Sequence, residues 1–466
     1  MAEVTEETPK FLQGSLMRHV SVMSFTASIG LMSIFAVDFV DMIFIAKLGN
    51  AALAAAVGYA GALLFFTTSI SIGFSIAAGA LVARALGARK TEQAREFATT
   101  VLFFGLVVSV LVVVLVYALM PALLDFLGAE GDTKTMAMKF LSIIIPTMPV
   151  MMGAMIASAI LRAHGDARRA MLATLAAGVV NAIIDPVLIF GFNLGLEGAA
   201  IASVISRLTL LTMALLPAIR VYNGFAPLSV RLLKRDFQQM GAIAAPAVLA
   251  NVATPVGAAI VTREMARFGT DAVAGMAVIG RLTPVAFAVV FALSGAVGPI
   301  IGQNFGAGLH VRVRGAFVAA LQFMCVYVLV VALLLFLMRG VIASAFDASG
   351  DTLMLIMLFC GPLALAWFFN GVIFVGNAAF NNLGHPIYST WINWGRSTLG
   401  TWPFVMIGGA YFGAAGILIG QAAGGIFFAG IAVWLGLKVM SEHKVDVVAE
   451  PFQEHVRLHT MQCRRH

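Results

Sequence analysis

The sequence predicts an all-α polytopic membrane protein, with about twelve transmembrane helices arranged in two pseudo-symmetric six-helix lobes. Three observations lead to this class. Of the 466 residues, 61% are hydrophobic and only 11% are charged, whereas soluble domains carry about 25% charged residues. The apolar residues form runs long enough to cross a hydrocarbon core, which takes about 20 residues. Sequence landmarks of the first half recur in the second half.

The apolar runs predict the helices in order. They cover residues 17–46, 52–75, 97–124, 135–160, 168–191, 197–220, 237–266, 271–297, 313–338, 352–378, 388–411 and 414–440. The run Ile76–Leu86 is too short to cross again and is interpreted as a helix extension or an interfacial turn. The predicted domains are an N-terminal tail (1–16), an N-lobe (17–221), a linker (222–236), a C-lobe (237–440) and a C-terminal tail (441–466).

Basic residues in the short loops predict the orientation of the chain. They cluster after the second, fourth, sixth and eighth helices, at Arg84, Arg89, Lys90, Arg95, Arg162, Arg168, Arg169, Arg231, Lys234, Arg235, Arg312 and Arg314. The opposite loops are acidic or neutral, as around Glu130 and Asp351. Because cytoplasmic loops are enriched in Lys and Arg, both termini and the linker are predicted to be cytoplasmic.

The two halves share motifs at a nearly constant offset. GALVARALGARKTEQAR from Gly79 aligns with GPIIGQNFGAGLHVRVR from Gly298, and 298−79 is 219. RAHGD matches NLGHP at the same offset, since Gly165 aligns with Gly384. A shift of six helices preserves topology, so the repeat is parallel, about an axis along the membrane normal. We expect the loops at Gly79 and Gly298 to close the cytoplasmic side when the two lobes rock.

The first predicted helix carries two acids inside its apolar run. Asp38 and Asp41 are three residues apart and therefore share a helix face. An ionised carboxylate in hydrocarbon costs about 2.5–3.5 kcal/mol, so such groups mainly line cavities, pair, or carry a cation or proton. The alternative is that both lie at the helix end near Gly49 and contact headgroup water, but Asp41 is roughly 12 Å from that end.

A second polar cluster occupies the fifth predicted helix. Asn181 and Asp185 lie four residues apart on one face, and Pro186 can kink the helix and free a carbonyl. Asp185 and Asp41 are each eight residues from the outer turn, so they share a depth. The cluster predicts an oxygen-rich site for H⁺ or Na⁺. The alternative is that Asp185 caps a neighbouring helix or pairs with Arg207, and Ser203 is a weaker candidate ligand.

The C-lobe does not repeat these acids, since Asp38 and Asp41 align with Ala258 and Val261. It carries neutral groups that can orient a substrate or bridge helices: Asn251, Thr254, Asn370 and Asn377. The two lobes are therefore chemically different.

Several classes of function are excluded. The chain has no P-loop, HExxH or GxSxG motif, and no GxGD motif accompanies the aspartates, so we expect a non-enzyme that uses no ATP. Its three cysteines form no disulfide or metal pattern. The net charge of +7 arises in the loops and does not indicate nucleic-acid binding. The expected partners are small molecules and membrane lipid, and no cofactor is expected beyond a coupling ion.

The combined motifs resemble those of the MATE (multidrug and toxic compound extrusion) family. The motifs are VDMIFIAKLG, GALVARALGAR with GPIIGQNFGAG, LRAHGD, and NAIIDPVLIFGFNLGLEGAA. The resemblance implies a V-shaped pair of lobes around a central cavity, in a monomer of the cytoplasmic (inner) membrane. It also implies export of organic cations or other amphipathic compounds in exchange for H⁺ or Na⁺.

The resemblance also implies roles for single residues. The family's helix-1 Asp corresponds to Asp41, its helix-5 Asn and Asp to Asn181 and Asp185, and its helix-6 Thr to Ser203. Asp41, Asp185 and Asn181 would be the ligands if Na⁺ is the coupling ion. Asp38 stands where the family usually has Asn.

Two positions indicate the branch. The acids of the NorM-like branch fall at Thr254 and near Asn370, so the chain is more similar to the DinF-like branch.

The main alternative to a cation-coupled exporter is a flippase for lipids or lipid-linked oligosaccharides on the related two-lobe architecture. A flippase for pyrophosphate-bearing lipids should line its cavity with Arg or Lys, whereas the N-lobe offers Asp38, Asp41 and Asp185. The acids therefore favour cationic substrates.

Overall fold

The computed structural model describes residues 9–47 and 51–442, in which helices account for nearly all regular structure and no β-strand occurs. The α-helices are α1 (Leu16–Lys47), α2 (Ala51–Gly87), α3 (Thr91–Phe126), α4 (Gly131–Ile144), α5 (Met148–Ala163), α6 (Ala167–Pro186), α7 (Gly195–Arg220), α8 (Val230–Met265), α9 (Thr270–Ala286), α10 (Ala288–Gly306), α11 (His310–Ala345), α12 (Gly350–Leu358), α13 (Ala364–Leu383), α14 (Pro386–Ser397) and α15 (Trp402–Glu442). The shorter elements are 3₁₀ turns at Lys10–Leu12, Ile145–Thr147 and Ala266–Phe268, and π-helices at Val187–Gly191 and Phe359–Leu363.

The described residues contain 11 segments long and apolar enough to cross a membrane. The last of them, Pro386–Glu442, holds two crossings. Gly413 has φ 61°, which reverses the chain inside α15. A Cβ on Gly408 would overlap the Gly416 backbone, and one on Gly420 would overlap Phe404, so the two arms pack closely and antiparallel. The fold therefore agrees with about twelve crossings.

Corresponding helices of the two lobes are interrupted at proline. Pro146 lies in the 3₁₀ turn between α4 and α5, and Pro362 lies in the π-helix between α12 and α13. Proline has no N–H to donate to the preceding turn, which explains both interruptions. The loops after α5 and α13 also correspond, because Gly165 and Gly384 both adopt left-handed φ, 81° and 91°. The repeat read from the sequence is thus present in the backbone.

Some boundaries differ from those predicted. The run Ile76–Leu86 continues α2, as the extension reading expects. Residues 230–236 of the predicted linker are already helical, since α8 begins at Val230. The predicted helix 271–297 is divided at Phe287 into α9 and α10. Beyond Glu442, the predicted C-terminal tail lies outside the described residues.

Helix α1 contacts both lobes. It packs along α6 in the N-lobe and against α10 and α11 in the C-lobe. Its Phe25 ring lies 5.3 Å from the Phe323 ring of α11, and its Phe35 ring lies 6.3 Å from the Phe291 ring of α10. A change in the packing of α1 on one lobe can therefore reach the other.

Candidate functional site

Small residues bring α1 and α6 close together below the predicted acids. A Cβ on Gly30 would lie 3.3 Å from Cβ of Thr174, and one on Gly178 would overlap the Ser33 hydroxyl. Gly30 and Ser33 recur at helical spacing on one face of α1, and the next turns of that face lead to Asp41. Their close approach places Asp41 opposite Asn181.

Asp41, Asn181 and Asp185 form one hydrogen-bonded cluster, called here the Asp–Asn–Asp site. Asn181 donates through Nδ2 to Oδ1 and Oδ2 of Asp41 at 3.3 Å each, and to Oδ2 of Asp185 at 3.2 Å. One amide group therefore holds both carboxyl groups. Asp185 is 0% exposed and Asn181 4% exposed. Three residues predicted from two separate motifs are thus brought together.

The Asp–Asn–Asp site has unused acceptor capacity. Oδ1 of Asp185 is buried and has no hydrogen-bond partner among the described atoms. A buried acceptor without a partner is costly, so it marks a place where a proton or cation would be bound favourably. Within the described ranges, no group of three or more His, Cys, Asp or Glu residues could hold a metal ion. The protein oxygens and the amide nitrogen of the Asp–Asn–Asp site come from two carboxyl groups and one amide.

The backbone changes directly after Asp185. The α-helix ends at Pro186 and continues as a π-helix from Val187 to Gly191, where the N–H of Phe192 donates to the Val187 carbonyl at 2.9 Å. Single π turns inside helices occur frequently at functional sites. The predicted loosening of the helix near Asp185 is thus present as a π-helix directly after Pro186.

Arg207 does not pair with Asp185. Its Nη1 donates to Thr147 Oγ1 at 2.9 Å and to the Ile144 carbonyl at 3.3 Å, at the interruption between α4 and α5. The alternative in which Arg207 pairs with Asp185 is therefore wrong.

Two further N-lobe candidates stand apart from the cluster. Asp38 is one turn from Asp41 and its side chain is exposed. Ser203 is partly buried and makes no hydrogen bond to the Asp–Asn–Asp site within the described chain. Ser206, one turn further along α7, instead donates to the Ala177 carbonyl of α6 at 2.9 Å. Sequence reasoning did not single out Ser206.

The C-lobe candidates do not form one cluster. Asn251 donates to the Ala247 carbonyl of its own helix at 2.8 Å, and Thr254 is exposed. Oδ1 of Asn377 is buried with no partner among the described atoms. Asn370 accepts a hydrogen bond of 3.0 Å from Nη1 of Arg396. Arg396 was not predicted as a site residue, although an arginine inside a membrane helix is itself a functional signal.

The lobes meet tightly at the end of the molecule that carries the basic loops, called here the basic face. A Cβ on Gly87 of α2 would overlap the Gln303 carbonyl of α10, and a Cβ on Gly306 would overlap the Arg84 carbonyl. Glycine alone permits this approach of two backbones. This contact between α2 and α10 is the basic-face seam, and it closes the molecule on that side.

The N-terminal segment covers the basic-face seam. Lys10 Nζ donates to the Gly165 carbonyl of the N-lobe at 2.9 Å. The Phe11 N–H donates to Gln303 Oε1 at 3.0 Å, and the Phe11 carbonyl accepts from Asn304 and Arg312 of the C-lobe at 3.1 Å each. Phe11 is 0% exposed. Residues from the predicted tail thus bridge both lobes, which sequence reasoning missed.

A comparison with known protein families agrees with the two-lobe arrangement. The MatE family model covers residues 27–187 and 246–407, one block in each lobe. The chain belongs to the MatE family. Its two matched blocks contain the Asp–Asn–Asp site and the Arg396–Asn370 pair. The protein is accordingly a membrane transporter and not an enzyme.

Characterised relatives are transporters. The chain is 29% identical over 405 residues to the FAD transporter of Shewanella oneidensis, covering 85% of this chain and 89% of that protein. It is 24% identical over 237 residues to the multidrug export protein MepA of Staphylococcus aureus, a match that spans 50% of this chain and 52% of MepA. These matches do not favour the flippase alternative.

Solved structures share the fold. The MATE transporter VcmN of Vibrio cholerae in its bent form matches with a TM-score of 0.85 and 25% identity, over 92% of this chain and 98% of that one. An outward-facing multidrug resistance MATE transporter matches with a TM-score of 0.86 and 21% identity, over 95% and 100%. The predicted two-lobe, all-helical fold is confirmed. The branch within the family stays a prediction.

Proposed function

We propose that this protein is a secondary active exporter of organic cations or amphipathic compounds, working in exchange for H⁺ or Na⁺ in the cytoplasmic (inner) membrane. The observation that carries the proposal is Asn181 bridging the carboxylates of Asp41 and Asp185. The relatives named for FAD and for multidrug export support small amphipathic molecules as the substrate range. We propose a monomer with both termini in the cytoplasm, following the basic loops.

The coupling ion binds at the Asp–Asn–Asp site. Two carboxylates that accept from the same amide group repel each other in apolar surroundings, and one H⁺ on either of them, or one Na⁺, reduces that repulsion. Asn181 turns its NH₂ group to both acids, so its amide oxygen does not face the space between them. For Na⁺, the amide would have to present Oδ1 as a ligand beside Asp41 and Asp185.

Helix α1 carries the coupling between ion and substrate. Asp41 lies on α1, which holds the N-lobe through Asn181 and contacts the C-lobe through the aromatic pairs of Phe25 and Phe35. When H⁺ neutralises Asp41, its hydrogen bonds with Asn181 weaken, because a charged acceptor binds a donor more strongly. The altered packing of α1 then favours a different arrangement of the lobes, and each ligand selects its own arrangement.

The closed basic-face seam supports the assignment of this structure to an outward-open state. The predicted orientation places the basic face in the cytoplasm, where Gly87 and Gly306 bring the lobes into backbone contact. Opening of this seam, with closure at the opposite end, gives the inward-open state. The lobes alternate in this way about the linker that precedes α8.

Transport from reconstituted vesicles tests the proposal. Purified protein in liposomes is loaded with a fluorescent organic cation, and a pH gradient and a Na⁺ gradient are imposed separately. We expect uphill movement of the dye under the pH gradient, and its loss in Asp41→Asn. Movement that is equal with and without either gradient would show a passive carrier and overturn the proposal.

A further inference from the structure

Arg396 lies near the middle of a membrane crossing. Helix α14 begins at Pro386 next to the loop of the basic face, and Arg396 is ten residues further on. Ten residues of α-helix extend roughly 15 Å, about half of a hydrocarbon core that is about 30 Å thick. Basic residues at such depth face a cavity or a partner and mark substrate pathways.

The charge of Arg396 has no acidic partner. Its Nη1 donates to Asn370 Oδ1 at 3.0 Å, a neutral acceptor. Its Nε is buried and bonds to nothing in the described chain. None of the ion pairs found among residues 9–47 and 51–442 includes Arg396. A guanidinium has five N–H donors in a fork that fits an oxyanion. Most of that fork is left for a ligand.

The partner amide lies on a face of α13 that alternates aromatic rings and amides. Trp367, Asn370, Phe374 and Asn377 follow one another at intervals of three, four and three residues, the spacing of a single helix face. Trp367, Asn370 and Phe374 are partly exposed. Two partly exposed rings thus lie about one turn to either side of the amide that holds the guanidinium.

This face of α13 packs against α10 within the C-lobe. Trp367 stacks on Phe287, the residue between α9 and α10, with ring centroids 4.8 Å apart and an interplanar angle of 12°. Phe374 lies 5.7 Å from Phe291, and Phe291 lies 6.3 Å from Phe35 of α1. The chain of ring contacts leads to the N-lobe helix that carries Asp41. A single ring, Phe291, therefore separates this face from α1.

We propose that Arg396 and Asn370 bind the anionic oxygen group of a substrate whose flat aromatic body lies against Trp367 and Phe374. The oxyanion would receive the free N–H donors of the guanidinium, while Asn370 holds the fork in place. This inference rests on the proposed transport function and names a substrate class for its C-lobe: anionic aromatic compounds, in addition to cations.

A pair of flavins that share one ring system tests the proposal. Riboflavin is uncharged and FMN carries a phosphate, so their difference reports the anion alone. Binding is measured by flavin fluorescence anisotropy on purified protein without any ion gradient. We expect wild-type protein to bind FMN about tenfold or more tightly than riboflavin, as for a hydrogen bond to a charged group. Arg396→Gln should remove this preference, and Arg396→Lys should keep part of it.

Arg207→Gln is the matched control, because Arg207 is also an arginine inside a membrane helix but donates to Thr147 and Ile144. It should leave the preference for FMN unchanged. Equal affinity of wild-type protein for both flavins, or an equal loss of both in a folded Arg396→Lys variant, would overturn the proposal. The flavin-binding assay needs no ion gradient. Failure of ion-driven dye efflux would therefore count against the transport function, and the binding assay would still decide whether Arg396 binds the anionic group.

Discussion

Arg84 and Gln303 make equivalent contacts from opposite lobes. They are 219 residues apart, the offset of the internal repeat (303−84). Arg84 Nη2 donates to the Asn381 carbonyl at 2.6 Å, and Gln303 Nε2 donates to the Ala163 carbonyl at 2.8 Å. Each accepting carbonyl lies near the C-terminal end of a helix in the other lobe, where carbonyls lack helical partners. The basic-face seam is therefore held by a pseudo-symmetric pair of crossing hydrogen bonds.

Enlarging either glycine of the seam should open the basic face. In Gly87→Ala and Gly306→Ala, the new Cβ overlaps a backbone carbonyl, which cannot rotate away as a side chain can. We expect the closed state to lose about 1–3 kcal/mol, as for other overpacked contacts. The measurement is maleimide labelling of a cysteine placed at Ala163, which is 0% exposed when the seam is closed.

Gly61→Ala is the matched control for the seam glycines. Gly61 lies on the same helix, α2, and a Cβ there would meet nothing within 4 Å. This change should leave labelling unchanged, because the added methyl group makes no overlap. Equal labelling rates for all three variants would show that the seam tolerates the extra carbon.

Removing the Phe11 ring should weaken the seam from outside. Phe11→Ala leaves a cavity where the ring is 0% exposed, which costs about 3 kcal/mol. We expect faster labelling at position 163 and a lower unfolding temperature. Gln13→Ala, an exposed neighbour, is the control. If labelling in Phe11→Ala matches that control, the N-terminal segment does not hold the lobes together.

Neutralising the acids should uncouple transport. Asp41→Asn keeps the shape of the side chain and removes its charge, so we expect ion-driven efflux to fall to the rate of empty liposomes while the protein still folds. Asp185→Asn should behave alike, and Asp38→Asn should be milder because Asp38 stands apart from the hydrogen-bonded cluster. Asp132→Asn, at an exposed helix start, is the control. Uphill transport by Asp41→Asn at the wild-type rate would make Asp41 structural.

The turn between α5 and α6 should make stability sensitive to acid. Burial disfavours the charged form of Asp166. Hydrogen bonds from the Arg169 backbone, the Tyr222 hydroxyl and the Arg169 guanidinium outweigh it and hold the pKa of Asp166 below its ordinary value of 3.8. Burial and the contact with Asp166 raise the pKa of Tyr222 to about 12, so the hydroxyl remains a donor. Because the unfolded state binds the proton more readily, this stability is lost as the pH falls through the pKa of the folded state.

Thermal unfolding at several pH values measures this effect. The wild-type protein should lose more stability than Asp166→Asn between about pH 5 and about pH 2, as the pH falls past the ordinary carboxyl pKa and through the lower pKa of the folded state. Asp132→Asn removes the same formal charge from an exposed position and should keep the wild-type slope. If stability declines equally with falling pH in all three proteins, Asp166 does not contribute to the acid sensitivity.

The sequence alone predicted the helices, the repeat and the three residues of the Asp–Asn–Asp site. These features are encoded locally or at a fixed offset. Apolar runs of about 20 residues define crossings, and charged groups inside such runs stand out because burial in hydrocarbon is costly. Asp41 and Asp185 were recognisable for that reason, and Asn181 because it is a polar residue four positions before Asp185 in the same run.

Only the tertiary structure decided how the pieces meet. Asn181 could have faced Asp185 alone, and its bridge to Asp41 depends on how closely Gly30 and Gly178 let α1 approach α6. Phe11 looks like an ordinary apolar residue in a polar tail, and its burial comes from contacts with residues almost 300 positions away. The lack of an acidic partner for Arg396 likewise depends on which side chains surround it. Pairwise distances between helices are set by packing of the whole chain, which no single stretch of sequence contains.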